Sequence, residues 1–392
     1  MVPNGWGVKS LSEIAKEKIS YGIVQAGKHI EDGVPYIKSS DVGGVIDIAS
    51  LQKTSPEIHH KYRRSAVHPN DIVFSLRGNI GRTSIVPEAL PEANLTQGTA
   101  RISVNANNDT KYVYYTLASA TLLNRINALS KGSTFKEISL EELRKVKLSI
   151  PPLPEQRKIA QILGAWDKAI ATTEQLIATS KQQKKALMQQ LLTGKKRLLN
   201  PETCQPFEGE WMNVSLKNVA KLQAGKFVKA SNISATQVGG RFPCFGGNGL
   251  RGFTESYTHD GLYSLIGRQG ALCGNITLAS GKFHATEHAV VVNPLSEIET
   301  KWLYFKLVDL NLNQYATGQA QPGLSVKNIE TVELNLPSFS EQQKIASVLT
   351  AADNEIEALE AKLAHFKQEK KALMQQLLTG KRRVIVDDKD VA

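Results

Sequence analysis

HATEH at residues 284–288 has the H-x-x-E-H spacing of a zinc peptidase. That chemistry needs both histidines on one face of a helix to hold the metal, with Glu287 as the base that activates water. The segment instead runs straight into AVVVNP, whose β-branched run predicts a strand. Side chains four residues apart on a strand lie about 13 Å apart, too far for His284 and His288 to share one ion. The matching stretch of the first half, QGTARISVN at 97–105, has neither His nor Glu. Glu287 and His288 are therefore read as polar groups at a domain edge, and no metal site is expected. A metal-dependent hydrolase built on HATEH is kept as one rival function, which metal analysis of the purified chain would settle.

The other chemistry the residues suggest is contact with a polyanion. In HHKYRRS (59–65), Lys61, Arg63 and Arg64 surround Tyr62; the cations suit phosphates and the ring suits a sugar or base. Two glycine loops, LRGNIGR (76–82) and IGRQGALCG (266–274), occupy corresponding places after a predicted strand. Glycine lets the backbone approach a phosphate, and Arg77, Arg82 or Arg268 can reach guanine in the major groove. SKGST (130–134) and TGQAQPG (317–323) offer Lys131, Gln319 and Gln321 for hydrogen bonds with bases, and FGGNGLRGF (245–253) adds Arg251. A solvated charged turn and plain tight hairpins are the alternative accounts of these same segments.

Composition agrees with a polyanionic partner. The 392 residues carry 48 Lys+Arg against 37 Asp+Glu, a net charge of +11, which favours nucleic acid over an acidic substrate. The excess is uneven: +5 over residues 1–150, +6 over 151–200, and zero over both 201–336 and 337–392. Three cysteines with no CxxC pair indicate neither a disulfide framework nor a zinc knuckle. The first residues, MVPNGWGVKSLSEIAKEK, lack the apolar core of a signal peptide, and no apolar run approaches a membrane span of about 18 residues. A reducing cytoplasm and no membrane partner are expected. The sequence has no G-x-x-x-x-G-K-[ST] phosphate loop and no Asn- or Asp-Pro-Pro-aromatic tetrapeptide of the adenine methyltransferases. No cofactor is expected in this chain.

The elements that must position these residues are announced by a repeat. KKALMQQLLTGKKR (184–197) returns as KKALMQQLLTGKRR (370–383), and the same shift of 186 residues aligns EQRKIAQIL (155–163) with EQQKIASVL (341–349). Upstream of each copy lies a diverged block sharing only a skeleton: Trp6 with Trp211, KYVYYTL (111–117) with KWLYFKL (301–307), and ISLEELRKVKLSIP (138–151) with LSVKNIETVELNLP (324–337). Five segments follow: globular blocks at 1–150 and 201–336, repeated helical blocks at 151–200 and 337–383, and a tail at 384–392 expected to be disordered. Short strands between Gly- and Pro-containing turns predict that each globular block is mixed α/β, with helices near 111–129 and 300–313 and a twisted, partly antiparallel sheet.

Each repeated block predicts a helix of about 39 residues, roughly 58 Å long. Ser340 with Gln343 reads as a capping box, Pro154 stands at the same place in the first copy, and Gly194 or Gly380 is the C-terminal cap. A 3.5-residue seam runs through Ile345, Leu349, Ala352, Ile356, Leu359, Leu363, Phe366, Lys370, Leu373 and Leu377. Its counterpart is Ile159, Leu163, Trp166, Ile170, Thr173, Ile177, Ser180, Lys184, Leu187 and Leu191. A lone helix would leave this seam in water, so the two are expected to pack on each other. Helix one delivers the chain to the second globular block and helix two can cover it only by running back, which makes the pair antiparallel and the chain pseudo-two-fold. Two independent helices, each docked on its own globular block, are the alternative.

This order of blocks, with PPLPEQRKIAQIL and KKALMQQLLTGKKRL, resembles the specificity subunit of type I restriction–modification systems over essentially the whole chain. The resemblance implies that each globular block is a target-recognition domain reading one half of a bipartite site on double-stranded DNA. It also implies that the helices act as a ruler, and that the chain is a non-catalytic platform for two modification (methyltransferase) subunits, with restriction subunits able to join. S-adenosylmethionine and ATP would then belong to those partners. A DNA-binding regulator that works without methyltransferase partners is the other rival function.

Overall fold

The computed structural model describes residues 3–130, 136–237, 239–270, 272–318 and 322–386. Its contacts divide into two units, Met1–Thr173 with Lys362–Ala392, and Glu174–Ala361. Each unit thus holds one globular block, one half of the first repeated helix and one half of the second.

The first unit runs β1 (Gly7–Ser10), α1 (Leu11–Ile14), β2 (Ser20–Tyr21), β3 (Val34–Ile37), β4 (Gln52–Thr54), α2 (Pro56–Lys61), β5 (Ile72–Ser75), β6 (Thr83–Ile85), β7 (Asn94–Leu95), β8 (Thr99–Ile102), α3 (Thr110–Leu117), α4 (Ala120–Leu129), α5 (Leu140–Lys145), β9 (Lys147–Ile150) and the start of α6 (Leu153–Leu191). The second holds the rest of α6, then β10 (Met212–Ser215), β11 (Ala220–Ala224), β12 (Phe242–Gly246), β13 (Gly249–Thr254), β14 (His259–Gly267), β15 (Ile276–Ala285), β16 (Ala289–Pro294), α7 (Thr300–Asp309), α8 (Val326–Glu330), β17 (Glu333–Leu336) and the first part of α9 (Phe339–Leu377).

Strand register shows that the two blocks are one fold in two states of continuity. The second unit has a six-stranded sheet ordered β11-β16-β14-β15-β12-β13. The first has the same order split into two sheets, β2-β8-β5-β6 and β4-β3-β7. The single strand β15 pairs with β14 at one end and runs parallel to β12 at the other, whereas in the first unit those two jobs fall to β6 and β7. Between them stands VPEALPEA (86–93), whose Pro87 and Pro91 have no N–H to give a ladder. A separate two-stranded ribbon, β1 with β9 or β10 with β17, closes each block beside its helix.

Side chains cap the short helices: Asp109 accepts from Tyr112 N at 2.8 Å, and Ser119 and Ser139 serve α4 and α5. The helix expected near 111–129 is therefore two, because Ser119 restarts the chain as a new N-cap. At α9 the serine that caps is Ser338, which takes Glu341 N at 3.4 Å. Ser340 lies inside the helix, so the cap stands two residues before the expected one, and the Glu341 carboxylate goes to Arg197 and Trp211 and closes no capping box. Gly194 and Gly380 do take the left-handed backbone, with φ of 72° and 69°, that ends a helix on glycine. Val384 packs against the first core, so packed chain extends into the segment expected to be a tail, while 387–392 lie outside the described residues.

No helix among the described residues is long and apolar enough to cross a membrane. Each unit has one main core where sheet, helices and long-helix ends meet, around fully buried Tyr112 and Phe74 in the first and Trp302 in the second. The first core takes in Ile159 and Leu163 from the start of α6 and Leu377 from the end of α9; the second takes in Leu191, Ile345 and Leu349.

Candidate nucleic-acid interface and its helical mount

The helical mount repeats itself contact by contact. In the first unit Glu155 is buried, accepts from Arg383 at 2.6 and 2.8 Å, and takes Trp6 Nε1 at 3.1 Å. In the second unit Glu341 accepts from Arg197 at 2.6 and 2.8 Å and from Trp211 Nε1 at 3.1 Å. Along the helices Lys370 pairs with Asp167 while its ammonium lies over the Tyr115 ring, and Lys184 pairs with Asp353 over the Phe305 ring. Burial and the hydrogen bond to Asp167 push the Tyr115 hydroxyl's pKa up, so it stays a donor to Asp167 at 2.6 Å. Within each unit the two helix segments run antiparallel: Trp166 meets Phe366 edge-on at 5.5 Å in one, and Lys181 bonds Glu360 in the other. Every residue named in the two seams, Ile170, Ile177, Leu187, Leu359, Leu363, Phe366 and Leu373 included, is buried or half-buried. The seam ends dock on globular cores, while its middle residues face the other helix, so both expected modes of covering it are used.

Away from that mount, one end of each sheet gathers the loops that carry exposed polar groups. In the second unit β11 ends at Ala224 opposite Val290, β14 ends at Gly267 opposite Ala289, and β12 reaches Phe245 beside Ala285. The segments after 224, at 246–249, after 267 and at 286–288 are therefore neighbours. Between them lies a cleft of about 440 Å³ lined by Gly246, Gly247, Asn248, Gly249, Leu250, Arg251, Gln269, Gly270 and His288. A Cβ on Gly267 would sit 2.0 Å from Gly247 O, so this close approach of backbones requires glycine. His288 Nε2 is 3.2 Å from Glu287. Arg251 forms no ion pair among the described residues, and Cys244 beneath it has its pKa raised by burial. A planar amide, an imidazole and a free guanidinium around one open cleft are donors and acceptors of the kind that read base edges.

In the first unit the same register places Ile23–Lys28, Ser39–Gly44, Arg77–Arg82 and Gln97–Gly98 at the corresponding sheet end. Equivalence is fixed by hydrogen bonds: Leu76 N bonds Gly98 O and its O takes Ile138 N, as Arg268 N bonds His288 O and its O takes Leu324 N. Arg268 is thus the counterpart of buried Leu76, and the residue matching Arg77 is Gln269. The Arg268 side chain is half-buried with Nε 3.4 Å from Leu324 O, and Gln269 stands exposed at the position that Arg77 holds in the first unit. Arg77 bonds Glu137 at 2.9 Å, and Arg82 is exposed beside Gly43.

The other basic cluster borders the first of these loops. Lys61 ends α2, its ammonium 6.0 Å from the Tyr62 ring, and Arg63 and Arg64 follow in a short 3-10 turn, exposed. Arg64 O accepts from Ser20 in the two-residue strand β2, and Ile58 of α2 lies against Gly27 in the loop that follows it. Lys131, Gln319 and Gln321 lie outside the described residues.

HATEH straddles a strand end. His284 sits in β15 with Nε2 3.1 Å from Lys226 O, and His288 stands beyond it in the turn. Among the described residues no group of three or more His, Cys, Asp or Glu side chains is placed to hold a metal ion.

Sequence reasoning passed over Gln269, Asn248 and His288, which line the cleft, although the glycine runs around them marked the loops.

Comparison with known proteins gives a consistent result. Residues 3–182 and 208–367 match the family described as the type I restriction modification DNA specificity domain. The chain is 32% identical over 336 residues to the type I restriction enzyme EcoprrI specificity subunit of Escherichia coli, covering 82% of this chain and 80% of that one. It is 24% identical to the MjaVIII specificity subunit of Methanocaldococcus jannaschii, over 98% of this chain and 94% of the relative. Among solved structures, the S subunit of a type I restriction–modification system from M. genitalium superposes with a TM-score of 0.65 at 17% identity, covering 96% of this chain and 97% of that one. A chain from a structure describing assembly and conformational transition of a type I R-M system gives 0.60 at 18%, covering 97% and 100%. At these identities the structural likeness speaks for the fold alone.

Proposed function

Because the chain belongs to the type I restriction–modification DNA specificity family and is a specificity subunit with two target-recognition domains, we propose how this sequence does that work. Each unit reads one half of a bipartite site on double-stranded DNA with the loops at its sheet end, Arg77, Arg82 and Gln97 in the first and Arg251, Gln269 and His288 in the second. Base edges are read there, while exposed lysines and arginines, Lys61, Arg63 and Arg64 among them, meet phosphates. The chain itself makes and breaks no bond. Methyl transfer with S-adenosylmethionine, and ATP-driven cleavage, belong to two modification subunits and to restriction subunits docked on the repeated helices.

The observation that carries this is the duplication itself. Two blocks that differ in their loops and in sheet continuity are held by helix contacts equal to within about 0.1 Å. The loops and the sheet behind them vary while the mount is kept, as expected of two different half-sites served by two identical partners.

The test is reconstitution. Purified chain should neither methylate nor cleave DNA; chain with its modification subunit at one to two should methylate adenines within a single bipartite sequence, read by mapping modified bases. Methylation by the chain alone, free of partner, would sink the non-catalytic assignment, and sequence-specific binding that never supports methylation would favour a DNA-binding regulator.

A further inference from the structure

Each sheet end carries a feature that charge does not account for. Val24 is 53% exposed and Phe227 71% exposed, and the two occupy the same position. Tyr21 pairs with Ala100 as Ala224 pairs with Val290, and Ile23 N bonds Leu95 O as Lys226 N bonds Ala285 O. The glycine between strand and loop is also common to both. A Cβ on Gly22 would lie 1.8 Å from Leu95 O, and one on Gly225 would lie 2.3 Å from Ala285 O. The loop root is therefore pressed onto the neighbouring strand, and the side chain two residues later stands in solvent. Exposed lysines flank both tips: Lys226 and Lys229 about Phe227, and Lys28 after Val24. Single exposed apolar residues are ordinary on a surface. An apolar residue exposed at the same register position in two blocks whose loop sequences differ, at the loop-bearing sheet end and with exposed lysine nearby, calls for a ligand with an apolar interior and an anionic exterior.

We infer that Val24 and Phe227 are wedges, each inserting into one base step of the half-site its unit reads while the neighbouring lysines hold the flanking phosphates. This rests on the DNA-reading function proposed above. A duplex is the ligand whose stacked faces are apolar and whose rims are anionic, and apolar side chains that part a base step are an established way to bend and register DNA. The Phe227 ring can replace the lost base stacking face to face, so the step read by the second unit opens further than that read by Val24.

The experiment uses the chain assembled with its modification subunits, on the duplex it selects from a randomised pool, with 2-aminopurine placed in turn at each purine of the two half-sites other than the methylated adenine and its neighbours, since a methyltransferase turns its target base out of the stack. Binding should raise the fluorescence at one step of each half-site, more in the half read by the second unit. Phe227→Ala should abolish the rise in that half alone and weaken binding about tenfold, while Phe227→Leu should keep most of it. Because Phe227 is exposed, the thermal midpoint of Phe227→Ala should match that of the parent, so the loss reads as a missing contact. No rise at any step with the parent complex, or an undiminished rise with Phe227→Ala, overturns the wedge and leaves DNA reading intact. Failure to select any bipartite duplex overturns both.

Discussion

Glu155 and Glu341 show what a single residue does in this chain and how little of that the sequence displays. EQRK and EQQK announce a repeat, but the partners of each carboxylate are remote: Arg383 and Trp6 lie 228 and 149 positions from Glu155, Arg197 and Trp211 lie 144 and 130 from Glu341. Each carboxylate side chain is nearly buried, at 4% and 1% exposure. A buried charge is tolerated only if every lone pair is used, and here a bidentate guanidinium and an indole N–H use them. Removing the acid leaves Trp211 Nε1 without its acceptor and Arg197 with only the carbonyls of Glu208 and Gly209, so Glu341→Ala should destabilise the second unit by about 1–3 kcal/mol, measured by denaturant unfolding. A change below about 1 kcal/mol would mean that the cluster merely decorates the helix start. The candidate reading residues were less legible than these for a physical reason. Arg268 and Gln269 are adjacent, and only the hydrogen bond from Arg268 N to His288 O decides which side chain faces the cleft.

At the scale of elements, the two 39-residue helices were almost fully legible, because a 3.5-residue apolar period sustained over ten positions fits little besides a long helix with a covered seam. The sheets were legible only as a class. Their strands are two to ten residues long, and nothing local in VPEALPEA says that it interrupts a strand kept whole in the other block. The helix contacts define where the ruler can be lengthened. Trp166–Phe366 and Lys370–Asp167 lie on one side, Lys181–Glu360 and Lys184–Asp353 on the other. Seven residues inserted between Thr173 and Lys181, with seven more between Glu360 and Phe366, leave all four pairs intact and the seam in phase. Each helix then grows by about 10.5 Å, and at roughly 3.4 Å per base pair the spacer between half-sites should lengthen by about 3 base pairs. The added pairs also turn the second half-site by about 100°, so weaker binding at the new spacing is expected. A folded, active variant that methylates at the old spacing would reduce the helices to docking surfaces.

For the whole molecule, the first globular block contributes +5 and the second none, yet both present the same loop cluster on the same mount, so recognition should be separable from assembly. The boundary that matters is set by contacts rather than by residue 150 alone. Trp6 on Glu155, Asp109 N on Gln156, and Tyr115 on Asp167 are the points where the first block grips the repeated helices, and Arg383 with Asn4 ties the end of α9 to the start of the chain. Replacing residues 1–150 with the matching block of a relative should therefore give a folded subunit only if the donor keeps a tryptophan, a backbone N–H and an aromatic ring at those three places, which the second unit fills with Trp211, Glu299 and Phe305. When it does, the methylated sequence should change in one half while the other half and the spacing stay as they were. The second unit's own core is built around Trp302, Leu303 and Val292. A chimaera that keeps the three contacts and folds, yet alters both halves together, would show that the two units read DNA as one surface and that the repeat in the sequence is not a repeat in function.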